Sequence, residues 1–570
     1  MYLKQNKVGG RVHLVIAHGY RDKETKKVRT KTIKSIGYLD TLEKEYSDPI
    51  SHFKQVIKEM NEKEKYNNLP AIISIDKSTL LDSAAGRRKN FGYAVLSKVY
   101  HELDMKVFFT NHSRDLKTEF NVNNIMKTEI FSRILFPGSK KKTYENRDIF
   151  FENTDYDLVD VYRCLSHVSG LSSSIQKHLH LKTKERYGRN TELVYYDVTN
   201  YYFEIDEQDE IRKKGVGKEH RPNPIIQMGL FMDTAGIPIS YRLFPGNTND
   251  CETMFPYLTQ IKRDFDDIGR IIVVADKGLN TSPNIISNTL NGDGYVFSQK
   301  VRGSNEELQK YVLDESGYVW LNDDYKIKSR PFPRVVYVKD VQGKQKQVRL
   351  DEKQVIFYSK AYDKKAKADR EASITKAYDL INNPSKYKQA TSYGAAKYVK
   401  NIEYDPKTGE ILTSKKQPIF DEAKLKEEEK WDGYYAIVTS ELDKTDSEII
   451  GIYRGLWKIE ESFKVTKSEF ETRPIYLSRK DRIEAHFLIC FIALVIVRIL
   501  EKLLNYKFSA SHLIESLSKV SCSPLEENWY LFDYHDEITS EISKIMDINL
   551  NYKYLSFGDI KKILANTKKT

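Results

Sequence analysis

The stretch "ELVYYDVTNYYFEI", residues 192–205, decides how the chain is read. Val194, Tyr195, Tyr196, Val198, Tyr201, Tyr202 and Phe203 are β-branched or aromatic residues of strong strand preference. Asp197 stands in the middle of them. A carboxylate in so apolar a strand is costly unless a cation meets it. The stretch therefore reads as a buried strand that calls for a positive partner at Asp197.

Working outward, "PIIQMGLFMD", a "TAG" turn and "IPISYRLFPGN" continue the strands in meander order. An amphipathic helix, "CETMFPYLTQIKRDF", and a fourth strand, "RIIVVAD" at 270–276, follow. Three antiparallel strands, a helix and a strand is the order of an RNase H-like α/β domain. A short strand at 294–300 precedes a polar tract over 301–432 that reads as a largely β insertion. "YYAIVTS" at 434–440 resumes the core, and one helix is expected from about 445 to 470. Upstream, residues 10–37 read as a β-hairpin with one basic face, a helix follows near 48–63, and 87–190 read as mainly helical. The expected class is multidomain α/β: an RNase H-like core interrupted by the insertion, with mainly helical N- and C-terminal parts serving DNA binding and dimerisation, the end of the chain (506–570) as short helices. The expected boundaries are 1–68, 69–189, 190–300, 301–432, 433–505 and 506–570.

A length of 570 residues asks for several folding units. Lys and Arg outnumber Asp and Glu by 92 to 81, and the net charge of +11 favours an anionic partner, nucleic acid before a membrane surface. Cys164, Cys251, Cys490 and Cys522 are scattered, with no CxxC and no histidine cluster. That spacing excludes a disulfide framework and a structural zinc site, and it suits a reducing compartment. The N-terminus lacks signal-peptide architecture. The apolar run "LICFIALVIV" at 488–497 is shorter than a bilayer requires and reads as a core helix. A soluble, cytoplasmic protein is expected. The basic cluster "GSKKKTYENR" at 138–147 reads either as a solvated loop or as a phosphate contact.

Two further carboxylates join Asp197. Asp276 ends the strand "IIVVAD", and Glu460 lies in "GIYRGLWKIEESFKVTKSEF", 451–470. A strand-terminal Asp is also a common loop opener, and Glu460 with Lys464 is also an ordinary i,i+4 pair. On a single helix, spacings of seven put Tyr453, Glu460 and Lys467 nearly in register. Glu461 faces another direction.

The set resembles the bacterial insertion-sequence DDE transposases whose third motif runs Tyr-(2)-Arg-(3)-Glu-(6)-Lys. Tyr453, Glu460 and Lys467 fall on that spacing, while Leu456 occupies the arginine position and Arg454 lies two residues off. "YYDVTNYYFE" and "VVADKGLN" resemble the family's two aspartate strands, and "KEHRPNPIIQMGLFMDTAGIPISYRLFPGNTND" the stretch between them. "RPIYLSRKDRIEAHFLICFIALVI" resembles the segment after the glutamate. The resemblance implies that Asp197, Asp276 and Glu460 hold Mg²⁺ or Mn²⁺, two ions per site, for in-line phosphoryl transfer. It implies recognition of terminal inverted repeats, cleavage at the ends and joining of 3′-OH ends to target DNA by a homodimer in a synaptic complex. Tyr453 and Lys467, with Lys464, would contact phosphates. Trp457 reads either as a base-stacking residue or as core. Lys218, His220 and Arg221 read either as DNA contacts or as a flexible basic loop. The competing readings are a non-catalytic transposase-derived DNA-binding protein, an RNase H-like metal-dependent nuclease, and a glycoside hydrolase using Asp197 and Glu460.

Overall fold

The structure, a computed structural model, describes residues 1–21, 28–46, 48–66, 78, 80, 88–115, 119–215, 223–265, 267–339, 344–383, 397–401, 403–404, 411–412 and 418–569. They divide into two compact units, Met1–Ser83 and Ala84–Thr570. In the first, strands β1 (Tyr2–Val8), β2 (Arg11–Arg21) and β3 (Val28–Tyr38) form an antiparallel sheet in that order. Helix α1 (Pro49–Tyr66) follows. The expected hairpin is β2–β3, and β1 adds a strand that its polar alternation, "YLKQNKV", left unread.

The second unit opens with the expected helices: α2 (Tyr93–Glu102), α3 (Met105–His112), α4 (Val122–Leu135), α5 (Lys140–Glu145), α6 (Leu158–Ser169) and α7 (Ser172–Tyr187). The meander follows as β4 (Leu193–Tyr202), β5 (Ile225–Met232) and β6 (Pro238–Pro245). Gly236, at a φ of 82°, makes the tight turn between β5 and β6. Helix α8 (Met254–Asp264) leads to β7 (Ile272–Ala275) and then β8 (Gly294–Gln299). β4, β7 and β8 are parallel neighbours, and β5 and β6 pair antiparallel beyond β4.

The tract at 301–432 contributes β9 (Val319–Asn322), β10 (Tyr325–Pro331) and β11 (Lys353–Ser359). These strands extend the same sheet through β12 (Tyr434–Thr439), which pairs with β8. The result is one nine-stranded mixed sheet in the order β9-β10-β11-β12-β8-β7-β4-β5-β6. The tract also carries a two-stranded ribbon, Arg334–Lys339 with Gln345–Leu350, and a long helix, Lys360–Asn382.

Alternation assigns the two faces of the central strands. Val194, Tyr196 and Val198 pack with Met254, Tyr257 and Ile261 of α8. Tyr195 and Tyr201 pack on the opposite side, in the core built around α11 (Lys480–Leu503). That helix extends well beyond the apolar run at 488–497. By length and composition its 24 residues are enough to cross a membrane, yet 94% of its most apolar window is buried inside the unit. The core-helix reading of the run agrees with that burial.

The helix expected from 445 to 470 is two. α9 (Asp446–Arg454) starts on a capping box of Thr445 and Glu448, and α10 (Trp457–Ser468) begins after a break at Gly455 and Leu456. The C-terminal region holds the expected short helices and also strands Ser521–Pro524, Trp529–Phe532 and Tyr554–Ser556, which form a four-stranded sheet with Lys89–Asn90.

Candidate active site

Strand register brings the two aspartates together. In the parallel pair β4–β7, Leu193, Val194 and Tyr195 lie opposite Ile272, Val273 and Val274, a constant offset of 79. Asp197 and Asp276 have the same offset, each two residues beyond the last pair, and therefore share one face and one level of the sheet. Tyr195 and Val274 assign that face to the α9–α10 side.

The third carboxylate is placed by two anchors of the helices on β4. A Cβ built on Gly455 would lie 1.8 Å from the Tyr195 hydroxyl, so the break between α9 and α10 sits directly on Tyr195. Farther along, the hydroxyls of Thr466 and Tyr201 are hydrogen-bonded at 2.7 Å. The anchors are about 17 Å apart along the helix and about 20 Å along the strand, so α10 runs beside β4 in the same direction. Glu460 is about 7.5 Å past Gly455 and Asp197 about 6.6 Å past Tyr195, which sets them abreast.

Ser298, on β8, donates its hydroxyl to Asp276 Oδ1 at 2.8 Å. The Tyr453 hydroxyl, from α9, reaches the same oxygen at 3.5 Å. Burial first, then the neighbouring Asp276, Tyr435 and Glu460, push the Tyr453 phenol above its ordinary range, with the Ser298 hydrogen bond opposing. Tyr435, on β12, is pushed up by burial and by Tyr362, Asp276 and Glu460. Both tyrosines thus sense Asp276 and Glu460 together. A cavity of about 310 Å³ opens beside them, lined by Asp276, Ser298, Lys300, Arg302, Tyr435 and Tyr453.

The remaining expected residues distribute as follows. Lys467, half-buried, places Nζ 5.6 Å from the centre of the Tyr201 ring. Lys464 is exposed one turn from Glu460. Trp457 is 55% exposed at the start of α10, which removes the core reading of that residue. Leu456, at the motif's arginine position, is core. Arg454 does not substitute for it, because its guanidinium lies 4.7 Å over the Tyr325 ring on β10. Glu461 faces Arg498 at 3.4 Å, away from the aspartates. Lys218, His220 and Arg221 lie outside the described residues.

Ser298 and Tyr435 escaped the sequence reading. The available signal was a polar residue, Ser298, at an inward position of an otherwise apolar strand.

Asp197, Asp276 and Glu460 are hard oxygen donors of the type that holds Mg²⁺ or Mn²⁺. Among the described residues, no three His, Cys, Asp or Glu side chains stand close enough to share an ion as positioned. The two aspartates are nonetheless fixed by register, and Glu460 is an exposed side chain with open rotamers on a pinned helix.

Residues 3–68 match the IS1634 family transposase N-terminal domain. Residues 203–496 match the transposase DDE domain, a span that includes Asp276, Tyr453, Glu460 and Lys467 and begins six residues after Asp197. No curated protein matches the chain. Among solved structures, the chain is similar to a piggyBac transposase synaptic complex with hairpin DNA, at 9% identity over 84% of this chain and 85% of that one, TM-score 0.35. It is also similar to a Mos1 transposase paired-end complex with left transposon end, at 11% identity over 31% and 59%, TM-score 0.14. A Mos1 mariner paired end complex with Mn matches at 12% identity over 34% and 65%, TM-score 0.13. With just over half its length matched by the transposase DDE domain, and its first unit by an insertion-sequence transposase N-terminal domain, the chain belongs to the DDE transposases of bacterial insertion sequences.

Proposed function

We propose that Asp197, Asp276 and Glu460 form the metal-binding carboxylate set of a site that cuts DNA at the ends of an insertion sequence and joins them to target DNA. The observation that carries this reading is the shared offset of Asp197 and Asp276 with Glu460 abreast of them. The strand order β6-β5-β4-β7-β8 supports an RNase H-like core. Divalent ions bound there, two by this reading, supply the positive charge that the attacking and leaving oxygens of an in-line displacement require.

The chain's own groups do the positioning. Asp197 and Asp276 would hold the ions from the sheet and Glu460 would hold them from α10, since carboxylates by themselves repel a phosphate. Tyr453, protonated at neutral pH, keeps a donor beside Asp276. Lys464 and Lys467 meet phosphate oxygens, and Trp457 offers an aromatic face to an unpaired base. Residues 1–68 and 69–189 take the role of end recognition, and 506–570 that of dimerisation, in a homodimer pairing two ends at the nucleoid. By the same reading Lys218, His220 and Arg221 contact DNA.

The test is cleavage of a DNA fragment carrying the gene with its native flanks, comparing wild type with Asp276→Asn, each with Mg²⁺ and with EDTA. Metal-dependent cuts at two inverted-repeat boundaries, lost in the variant, are expected. Tight binding to those ends without cutting would identify a non-catalytic descendant, and cutting that ignores the flanks a nuclease.

A further inference from the structure

A second cavity, of about 680 Å³, lies between the turn that joins α4 to α5 and the loop that follows α10. Arg133 lines it at 4% exposure. Its guanidinium donates to the main-chain carbonyls of Phe470 (2.9 Å) and Gly138 (2.7 Å), and its Nε has no partner among the described residues. Lys142 stands on the rim, exposed, and among the described residues neither it nor Arg133 has a carboxylate partner. A buried guanidinium with no carboxylate against it among the described residues favours an incoming anion.

Two neighbours sharpen the chemistry. Lys140 is neutralised by Glu129 at 2.6 Å, and His486 is held well below its usual range by burial and then by Arg133 and Lys140, so it stays neutral. Tyr476, 71% exposed, presents its ring at the same opening. A cation at the floor, a cation at the rim and an exposed aromatic side chain fit a nucleic-acid strand, which offers a phosphate and a flat base within one nucleotide.

The position relates this cavity to the cutting site. Arg473, which lines it, lies 5.5 Å over the ring of Tyr202, the last residue of β4. Asp197 is five residues back on the same strand, about 16 Å. At about 3.4 Å per nucleotide along a duplex, that distance corresponds to roughly five nucleotides.

The geometry points to a phosphate-binding pocket for transposon-end DNA, in which Arg133, Lys142 and Tyr476 hold the strand to be cut about five nucleotides from the scissile phosphate. End DNA is the occupant because Arg473 ties the pocket to the strand that carries Asp197, where by the proposed function the end is cut. This assignment rests on the proposed cleavage function.

The test uses the full chain in EDTA and a duplex bearing its terminal repeat and cut site. Neutral methylphosphonates are placed one at a time along the cut strand, and binding is measured for wild type, Lys142→Ala and Tyr476→Ala. For wild type, one position about three to seven nucleotides from the cut should weaken binding about tenfold. The same substitution should cost Lys142→Ala little more, and the slope of log affinity against log salt should fall by about one in that variant. Tyr476→Ala should weaken binding with the slope kept. The pocket assignment is overturned if no position in that window responds, or if the loss is undiminished in Lys142→Ala. It is also overturned if Lys142→Ala binds and cuts ends normally and loses only joining to target. A wild-type protein that neither binds nor cuts its ends sinks the function itself, a separate outcome.

Discussion

Gly455→Ala tests whether the two helices on β4 set the position of Glu460. Helix propensity alone predicts a gain, because Ala stabilises a helical position by about 1 kcal/mol over Gly, and Gly455 has helical dihedrals, φ −60° and ψ −13°. The structure predicts the opposite. The new Cβ would lie 1.8 Å from the Tyr195 hydroxyl, where real Cβ contacts essentially never fall below 3.0 Å, so the α9–α10 junction must lift by about 1.2 Å. Tyr195 is buried in the sheet core and cannot swing clear. A displacement of about 1 Å at a catalytic group costs about a hundredfold in rate, ~2.7 kcal/mol. End cleavage should therefore fall about a hundredfold in Gly455→Ala while DNA binding in EDTA is kept. Adding Tyr195→Phe removes the nearest atom and leaves the ring carbon at 2.5 Å, so cleavage should recover about tenfold. Wild-type cleavage by Gly455→Ala, or a double variant no faster than the single, refutes the placement of Glu460 by Tyr195.

Ser298→Ala removes the 2.8 Å hydrogen bond to Asp276 and should slow cleavage about tenfold, ~1.4 kcal/mol, with end binding intact; an unchanged rate assigns Ser298 no positioning role. Because burial and the neighbouring Asp276, Tyr435 and Glu460 raise the Tyr453 phenol above its ordinary 10.0, wild-type cleavage should show no tyrosine limb up to about pH 9.5. A limb below that pH which vanishes in Tyr453→Phe contradicts the assignment. His101 and His180 are each lowered to about 4, chiefly by burial, and His486 well below 6.5. Unfolded histidines bind protons near pH 6.5 and these do not, so the contribution is whole above that pH and is lost as pH falls below it, roughly 3 kcal/mol for each of His101 and His180 by about pH 4. The thermal midpoint should drop steadily from pH 7 to pH 5, and a pH-independent midpoint in that window would exclude neutral burial of these histidines.

The aspartate strands were legible because their signal is local. Val194 to Phe203 and Ile271 to Ala275 are dense in residues that suit a buried pleat, and an acidic residue stands out against them. The glutamate helix was legible as periodicity but not as geometry. A single Gly inside a helical pattern is tolerated at a cost of about 1 kcal/mol, so Ile452, Leu456, Ile459 and Phe463 read as one unbroken stripe. What requires the glycine is the Tyr195 hydroxyl, which is remote in sequence and close only after folding. The small sheet of Lys89–Asn90 with three C-terminal strands was illegible for a related reason: strands of two to four residues carry no period of their own. Trp457 was ambiguous because the helical stripe does not say which face a neighbouring strand will cover, and it is solvent that meets it.

The placement of the candidate site follows from where the sheet changes character. β4 pairs antiparallel with β5 on one side and parallel with β7 on the other, so the chain arrives at this strand's carboxyl end from two different connections. Such a junction leaves a crevice beyond the parallel strands, where ligands bind in open α/β sheets. Asp197 faces that crevice from within its strand and Asp276 from just past the end of its own, because β7 is only four residues long and stops where β4 continues. Two carboxylates side by side at a strand end repel one another and gain nothing from packing. By the reading proposed above, a divalent cation at their shared level would offset that repulsion, the kind of partner expected for an aspartate in so apolar a strand. The same argument explains the crowd of donors around Asp276. Ser298 satisfies one oxygen and the protonated Tyr453 approaches it, and neither brings a positive charge that would compete with an ion. A lysine in either place would have stabilised the protein without metal and disabled the site; hydroxyls hold the carboxylate in position and leave its charge available.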